Sequence, residues 1–308
     1  MANHKKGSDS LSNPNCRDSR FHIIPDAISR CSREECLSVF RHMTRAREFE
    51  NCIVRVDQAG KFQIKVHMSS GQEAVSAALA TVAPAYQYFI QHRSMDIFLA
   101  LGGAPEEVRD EINCLPGGCV GGKLGGAFQY HRDGRDLYAH TGLIGENIPV
   151  GVGAALGNGR RTVCLFGDGA AEEDYALTAY GFAATHRLPV LFVCTDNRLS
   201  VLSPLAKRRS WDLCEVAAGF GIPSYDMTDD PFTIMQRLRE VEDHLPALFN
   251  IQVCRDYWHA GTGIDQPPEW NRYALVREQI AALGLDSELE QIERAARREM
   301  EDVWKDYL

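Results

Sequence analysis

The sequence predicts an α/β protein in which helices cover both faces of a parallel sheet. Two apolar runs typical of buried strands, residues 162–166 and 188–194, flank a helical pattern over residues 174–186. A strand, a helix and a second strand in this order form a right-handed crossover between neighbouring parallel strands. The carboxyl ends of both strands therefore face one crevice, which is where open α/β sheets bind ligands.

Further elements are predicted before this crossover. A capping box begins a long helix at Ser32, and a run of small and apolar residues indicates a buried helix at 71–80. Glycine occupies six positions of segment 116–126, too many for the interior of a helix or strand, so we expect a loop there. A helix of small residues at 150–157 then leads into the first strand of the crossover.

The remainder of the chain completes the predicted domain. A late core strand is expected at 251–254, followed by a Gly- and Pro-rich loop at 255–270 that lies at the mouth of a site. The last forty residues have helical periodicity and indicate a packing or subunit-contact element. The polar residues 1–20 are interpreted as a disordered tail, and 21–308 as a single domain with a C-terminal helical extension.

Composition limits the class of protein. Of the 308 residues, 44% are hydrophobic and 24% charged, which is typical of a soluble globular protein. The net charge of −9 argues against a nucleic-acid surface, and Lys207, Arg208 and Arg209 are expected in a solvated loop. The sequence shows neither a signal peptide nor an apolar run of membrane length, so we expect a cytoplasmic protein. Its ten scattered cysteines are interpreted as buried, reduced thiols.

A candidate metal site lies at the ends of the two crossover strands. Asp168 stands between Gly167 and Gly169 after the first strand, and Asn197 closes the second. A carboxylate, an amide oxygen and the Leu199 carbonyl are hard donors that suit Mg²⁺, which commonly shares its ligands with substrate phosphates. Glycine lets the backbone approach a diphosphate closely, and the next helix offers its amino terminus to negative charge. These residues predict a metal–diphosphate seat.

The residues of this seat are part of a longer sequence motif. Residues 167–171, the run 188–194 and the pair Asp196-Asn197 resemble the thiamine diphosphate motif. From about residue 34 to 270 the chain resembles the alpha subunits of the decarboxylating component of 2-oxo acid dehydrogenase complexes, which act on pyruvate, branched-chain 2-oxo acids or acetoin. Segments 71–74, 121–126 and 142–149 support the match. The resemblance implies a thiamine diphosphate-binding fold, here its diphosphate-binding domain.

The resemblance also implies roles for individual residues, and thiamine diphosphate and Mg²⁺ as cofactors. Asp168, Asn197 and the Leu199 carbonyl would bind Mg²⁺. His259 matches a histidine of the mobile active-site loop and is the candidate catalytic residue, which also binds diphosphate. The other positions that match cofactor contacts are Arg93, which would pair with diphosphate oxygens, Gly142 and Ile144 under the bent cofactor, and Gly167, Gly169 and Ala170 beside the diphosphate.

Several positions depart from the family pattern. His92 replaces a common aromatic residue, Glu172 begins a segment that differs after the metal motif, and Gln129 replaces a histidine near the substrate. These changes mean that pyruvate is not assumed as the substrate. Ala260 replaces the serine that kinases phosphorylate in some relatives, which excludes kinase control at that position. Two further histidines, His67 and His140, are candidates for either a site role or a structural one.

Three functions remain open from the sequence. The leading hypothesis is oxidative decarboxylation of a 2-oxo acid, with the acyl group passed to a lipoyl-carrying acyltransferase. The second is a split transketolase-like or carboligating enzyme, and the third is a non-catalytic regulatory paralogue. The family places the pyrimidine-binding domain and the activating glutamate on a separate beta subunit. The resemblance therefore implies an α2β2 heterotetramer with the cofactor between subunits.

Overall fold

The computed structural model describes residues 23–61, 66–264 and 267–308. The tail predicted at 1–20 lies outside these residues, so the domain boundary stays a prediction. The strands are β1 (Gln87–Phe89), β2 (Tyr130–Arg132), β3 (Arg135–Tyr138), β4 (Thr162–Gly167), β5 (Val190–Asp196), β6 (Leu199–Ser200), β7 (Ser203–Pro204), β8 (Ser224–Thr228) and β9 (Ala247–Gln252).

Helices connect these strands or follow them. They are α1 (Arg33–Gln58), α2 (Glu73–Val82), α3 (Met95–Ala100), α4 (Pro105–Ile112), α5 (Asn147–Asn158), α6 (Asp174–His186), α7 (Leu205–Arg208), α8 (Leu213–Gly219), α9 (Pro231–Val241), α10 (Arg272–Ala281) and α11 (Asp286–Trp304). Among the described residues, no helix combines the length and the apolar composition needed to cross a bilayer.

Seven strands form one sheet in the order β2-β3-β1-β4-β5-β9-β8. Every pair in it is parallel except β2 with β3. The predicted crossover is present, because β4 pairs with β5 in a register that sets Thr162 opposite Val190 and Gly167 opposite Thr195. The carboxyl ends of β1, β3, β4, β5 and β9 consequently share one edge of the sheet, referred to below as the carboxyl edge.

Alternating side chains of the central strands enter two hydrophobic cores. Val163 and Leu165 of β4 pack in one core with residues of α1, α2 and α9. Cys164 and Phe166 point to the opposite face and pack with residues of α5, α6 and α8. A strand buried on both faces needs apolar residues at successive positions, which explains the unbroken apolar run in the sequence. The predicted α/β fold with helices on both faces is therefore confirmed.

Most predicted elements are present, with shifted ends. The Ser32 capping box begins α1, since Glu35 N–H donates to Ser32 Oγ (3.2 Å) and Ser32 N–H donates to Glu35 Oε2 (2.7 Å). The helix predicted at 174–186 has those bounds as α6. The strand predicted at 251–254 was wrong in its limits, because β9 begins at Ala247. Asn250 interrupts the apolar pattern there, and its side-chain nitrogen donates to Asp226 Oδ1 (2.8 Å) inside the sheet.

The cysteines are reduced, as predicted, but they are not all buried. The nine cysteines within the described residues are free thiols. Cys164 and Cys194 lie in the middle of β4 and β5, where burial raises the pKa of each thiol. The prediction of burial was wrong for Cys114, which is exposed in a turn with a positive φ of 57°, and Cys31, Cys119 and Cys214 are only partly buried.

Candidate active site at the carboxyl edge

The predicted metal ligands lie at the ends of adjacent strands. Asp168 directly follows β4 and is 2% exposed, and Asn197 directly follows β5. The pairing of Gly167 with Thr195 aligns these two strand ends at the carboxyl edge. Leu199 begins β6, and its N–H donates to the Asn197 side-chain oxygen (3.1 Å). The carboxylate, amide and carbonyl oxygens proposed from the sequence are thus gathered in one short stretch of the edge.

Close packing explains the glycines beside Asp168. A Cβ atom added to Gly169 would lie 2.7 Å from the Ser200 hydroxyl, closer than such contacts normally allow. A Cβ added to Gly167 would lie 3.2 Å from the side-chain nitrogen of Gln91. Gly169 also precedes the short 3₁₀ helix Ala170–Glu172, whose first residue is buried. Glycine at these two positions therefore allows the backbone of the seat to pack closely against Ser200 of β6 and Gln91 beyond the end of β1.

The basic triplet contributes to this seat, which corrects the prediction of a solvated loop. Arg208 Nη2 donates to Asp168 Oδ2, and Arg208 Nη1 donates to Glu172 Oε1 (2.6 Å). The side chains of Arg208 and Arg209 are only 13% and 3% exposed, whereas Lys207 is exposed. The prediction failed for the two arginines because α7 places them against carboxylates that would otherwise be buried without a counter-charge.

Burial and charge oppose each other at Asp168. Burial, followed by the neighbouring Asp196 charge, raises the pKa of Asp168 to about 6, although Arg208 and Arg209 act in the opposite direction. Arg209 Nη2 lies 3.9 Å from Asp196 Oδ2. The seat thus holds buried carboxylates that arginines neutralise. Its hard oxygen donors fit a divalent cation such as Mg²⁺, which would supply the charge that Arg208 now provides.

Arg93 ties two segments of the carboxyl edge together. Its Nη1 donates to the Met68 carbonyl, and its Nη2 donates to the His259 carbonyl (2.9 Å). Burial and the nearby Arg255 lower the pKa of Arg93 to about 10, so it remains cationic at neutral pH. The sequence suggested that Arg93 pairs with diphosphate oxygens. In the structure it is bound to the loop that carries His259, and the diphosphate role stays a prediction.

His259 lies within a group of imidazoles. The ring centroids of His67, His92 and His259, here called the histidine cluster, are 4.4 to 5.4 Å apart, and His140 lies 6.1 Å from His92. Burial lowers the pKa of His67 to about 3, of His92 to about 2 and of His259 to about 4. His67, a candidate for either role in the sequence, is therefore brought next to His259, and all three rings are neutral at pH 7.

The turn predicted to lie under the cofactor immediately precedes α5. Gly142 has a φ of +108°, which glycine adopts without strain, and its N–H donates to His140 Nδ1 (2.9 Å). Ile144 is 40% exposed, and its carbonyl accepts a hydrogen bond from the Tyr175 hydroxyl. Gln129 is exposed and directly precedes β2, which places it at the carboxyl edge because β2 is antiparallel to β3.

Sequence reasoning missed the arginines that neutralise the seat. Arg208 is 40 positions from Asp168, and Arg209 contacts Glu172 (3.6 Å) and Asp196. A signal was nevertheless present, since three acidic residues follow two buried strands closely and need positive partners. The only basic triplet of the chain follows within a dozen positions of the second strand.

Comparison with known proteins agrees with this geometry. The pattern of the dehydrogenase E1 component family matches residues 40–262. A relative from Rattus norvegicus, the testis-specific pyruvate dehydrogenase E1 component subunit alpha, mitochondrial, is 26% identical over 307 residues, covering 91% of this chain and 77% of its own. The somatic forms from Macaca fascicularis and Homo sapiens are 32% identical over 192 residues, covering 59% of this chain. That match spans about half of these relatives, 48% of their length.

Proposed function

This chain belongs to the dehydrogenase E1 component family, and from that premise we propose that it is the alpha subunit of a thiamine diphosphate- and Mg²⁺-dependent 2-oxo acid dehydrogenase. One observation carries the proposal. Asp168 and Asn197 directly follow neighbouring parallel strands, and Asp168 is flanked by two glycines at positions where neighbouring side chains leave little room for a Cβ atom. The names of the relatives, all pyruvate dehydrogenase alpha subunits, support the same reaction class.

Different residues of the carboxyl edge would bind the metal ion and the diphosphate. Asp168, the Asn197 amide and the Leu199 carbonyl would hold Mg²⁺, while the backbone of Gly169 and Ala170 would contact the diphosphate. When bound, thiamine diphosphate supplies a carbon nucleophile for the 2-oxo carbonyl and an electron sink for the bond that breaks. His259 enters as a neutral imidazole, because its pKa is lowered to about 4, so one ring nitrogen can donate a hydrogen bond and the other can accept one without a charge on the ring.

The activity depends on a second chain in this proposal. The family divides its cofactor site between subunits, and a beta subunit would bring the pyrimidine-binding domain and the activating glutamate in an α2β2 assembly. A lipoyl-carrying acyltransferase would accept the acyl group. A cytoplasmic location is part of the same proposal, and microscopy of the full chain carrying a C-terminal fluorescent tag would test it.

Calorimetry of the complex tests the cofactor seat. The chain, co-purified with its beta subunit, would be titrated with thiamine diphosphate in the presence and absence of Mg²⁺. Asp168→Ala and Asn197→Ala should each abolish Mg²⁺-dependent binding, because each removes an oxygen ligand. Asp306→Ala, which changes an exposed carboxylate near the C-terminus, is the matched control and should bind normally. Unchanged affinity in both site variants would refute the metal assignment.

A substrate panel then tests the reaction. The complex loaded with thiamine diphosphate and Mg²⁺ would be offered a series of 2-oxo acids together with a dye oxidant. Reduction of the dye with one of these acids would support the dehydrogenase and identify its 2-oxo acid substrate. Transfer of the acyl group to a lipoyl domain would identify the acceptor. Cofactor binding without dye reduction, but with product formed from an aldehyde acceptor, would replace the proposal with a carboligating enzyme. Absence of cofactor binding in the intact complex would leave a regulatory paralogue.

A further inference from the structure

A second group of metal-ligating side chains shares no residue with the oxygen donors of Asp168 and Asn197. His67 precedes α2, His92 follows β1 and His259 follows β9, so three separate segments supply the histidine cluster. One ring nitrogen from each lies within 4.8 Å of the other two. Each side chain is partly buried, which leaves a path from solvent to the group. We propose that the histidine cluster is a binding site for a transition-metal dication of the Zn²⁺ class.

Ligand chemistry separates this site from the magnesium seat. Imidazole nitrogen suits Zn²⁺, Co²⁺ and Cu²⁺, whereas carboxylate and carbonyl oxygens suit Mg²⁺. Three histidines with an open fourth position are a known ligand set for Zn²⁺. The two groups of donors therefore select different metals, although a metal bound through His259 would compete with the role proposed for that residue in catalysis.

The distances require a small contraction. Zn–N bonds of about 2.0 to 2.1 Å in a tetrahedral shell place ligand nitrogens about 3.4 Å apart. The ring nitrogens of the three histidines now lie up to 4.8 Å apart, so metal binding would bring the most distant pair about 1.4 Å closer together. Within the described residues no hydrogen bond holds any of the three rings, so rotation about the side-chain torsions breaks no existing bond. The cluster is thus nearly assembled and free to close.

Protonation also favours a metal over a proton. The three imidazoles are neutral at pH 7, since burial lowers each pKa, and a neutral ring offers its lone pair to a cation. The positive charge of Arg93 opposes a metal. Its guanidinium is, however, engaged by the carbonyls of Met68 and His259. That opposing charge weakens the binding of every dication, so only metals that bind imidazole strongly would be retained.

His140 provides a partner for the open coordination position. Its Nδ1 accepts a hydrogen bond from Gly142 N–H (2.9 Å), so the proton of the neutral ring is on Nε2. That buried Nε2 has no hydrogen-bonding partner among the described residues. His140 is 6.1 Å from His92 between ring centroids. A water bound to the metal would give this N–H an acceptor.

Metal titration of the full chain tests the site without the proposed activity. The protein would be stripped with EDTA, dialysed into buffer without Mg²⁺ or thiamine diphosphate, and titrated with Co²⁺ as a visible-absorption probe, then with Zn²⁺ in competition. We expect one equivalent of Co²⁺ with the absorption of a tetrahedral nitrogen site, displaced by one equivalent of Zn²⁺. Octahedral Co²⁺ absorption, or no binding, would overturn the proposal.

Variants assign the ligands. His92→Phe and His67→Gln should each weaken Zn²⁺ binding by about 100-fold or more, because even residues that only orient a ligand contribute 10- to 100-fold. His244→Gln, an exposed histidine, and Asp168→Ala, which removes the magnesium seat, should bind Zn²⁺ as the unaltered chain does. Circular dichroism would establish that the variants are folded. Full affinity in both histidine variants, or loss in Asp168→Ala, would refute the site while leaving the proposed function untouched.

Discussion

Arg208 donates hydrogen bonds to Asp168 and Glu172, so a positive charge already lies where a metal ion is expected. The buried Asp168 carboxylate can be neutralised by this guanidinium, by a proton or by Mg²⁺. These three compete, because each one stabilises the same negative charge. The affinity of the seat for metal is therefore set as much by Arg208 as by the ligands themselves.

Removal of Arg208 should tighten metal binding. Arg208→Ala eliminates the competing cation and leaves Asp168 and Glu172 uncompensated in the metal-free state. A charge-assisted hydrogen bond contributes about 1.5 to 3 kcal/mol, so we expect Mg²⁺ affinity to rise about 10- to 100-fold. Calorimetry or Mn²⁺ spin resonance would measure it. Lys207→Ala, the exposed neighbour, is the control; a weaker affinity in Arg208→Ala would show that Arg208 belongs to the bound seat.

His92 should make the fold sensitive to acid. Its pKa is about 2 in the folded chain, against about 6.5 for an unperturbed histidine, because of burial and of His67, Arg93, His259 and His140 around it. Below pH 6.5 the unfolded state therefore binds a proton at His92, whereas the folded state does not. Stability is complete above pH 6.5 and falls as pH drops toward 2, by at most about 1.4 kcal/mol per pH unit from this residue.

Urea unfolding at pH 7.0 and 5.5, with EDTA present, would measure this effect. His92→Phe should lose less stability than the unaltered chain between these two pH values, since phenylalanine does not titrate. His244→Gln removes an exposed histidine and should lose as much as the unaltered chain. Equal losses in His92→Phe and the unaltered chain would contradict the assignment.

Helix α5 contacts the sheet through a glycine. A Cβ atom added to Gly151 would lie 2.5 Å from Cys164 Sγ on β4 and 3.1 Å from the Phe89 ring on β1. The helix can therefore come this close to both strands at position 151 only because that residue has no side chain. Since α5 begins directly after the turn that contains Gly142 and Ile144, this close approach also sets the position of that turn at the carboxyl edge.

Two glycine substitutions in α5 should have opposite effects. Gly151→Ala inserts a methyl group into a filled space and should lower the free energy of unfolding by about 1 to 3 kcal/mol. Gly153→Ala adds a methyl at an exposed position with no atom within 4 Å, and should raise it by about 0.5 to 1 kcal/mol through helix propensity. Chemical denaturation would measure the free energy of unfolding of both variants. Equal changes in the two variants would contradict the close contact described for Gly151.

Elements with local determinants were predictable from the sequence, and contacts between distant segments were not. The bounds of α6 follow from its own periodicity, and the position of Asp168 follows from the strand that precedes it. The strand β1 was missed because three residues are too few to show a period. Arg208 was misplaced because its environment consists of side chains from other segments of the chain.

An apolar surface remains on the side of α5 and α6. Large apolar side chains are exposed on it, namely Leu143 (68% exposed), Val150 (55%), Leu156 (52%) and Phe182 (41%). The proposed assembly with a beta subunit would cover such a surface, whereas the isolated chain leaves it in water. The apolar composition of this face is thus consistent with an obligate partner.

The oligomeric state of the isolated chain should reflect this surface. We expect the chain alone to self-associate in a concentration-dependent way and to bind a dye that reports exposed apolar surface. Phe182→Lys together with Leu156→Lys should make it monomeric. Light scattering after gel filtration would measure the mass, with Leu308→Lys, an exposed leucine at the C-terminus, as control. A monomeric, dye-free unaltered chain would contradict the prediction.

The position of β9 in the sheet has a consequence for biosynthesis. β9 lies between β5 and β8 although it is the last of the three in the sequence, and β8 pairs with no other strand of the sheet. While the ribosome extends the chain, the backbone of β5 therefore keeps one unpaired edge until about residue 252 has emerged. Unpaired edges invite pairing with other chains. The sheet can therefore be completed only after most of the chain has been made, although β1 to β5 can pair earlier.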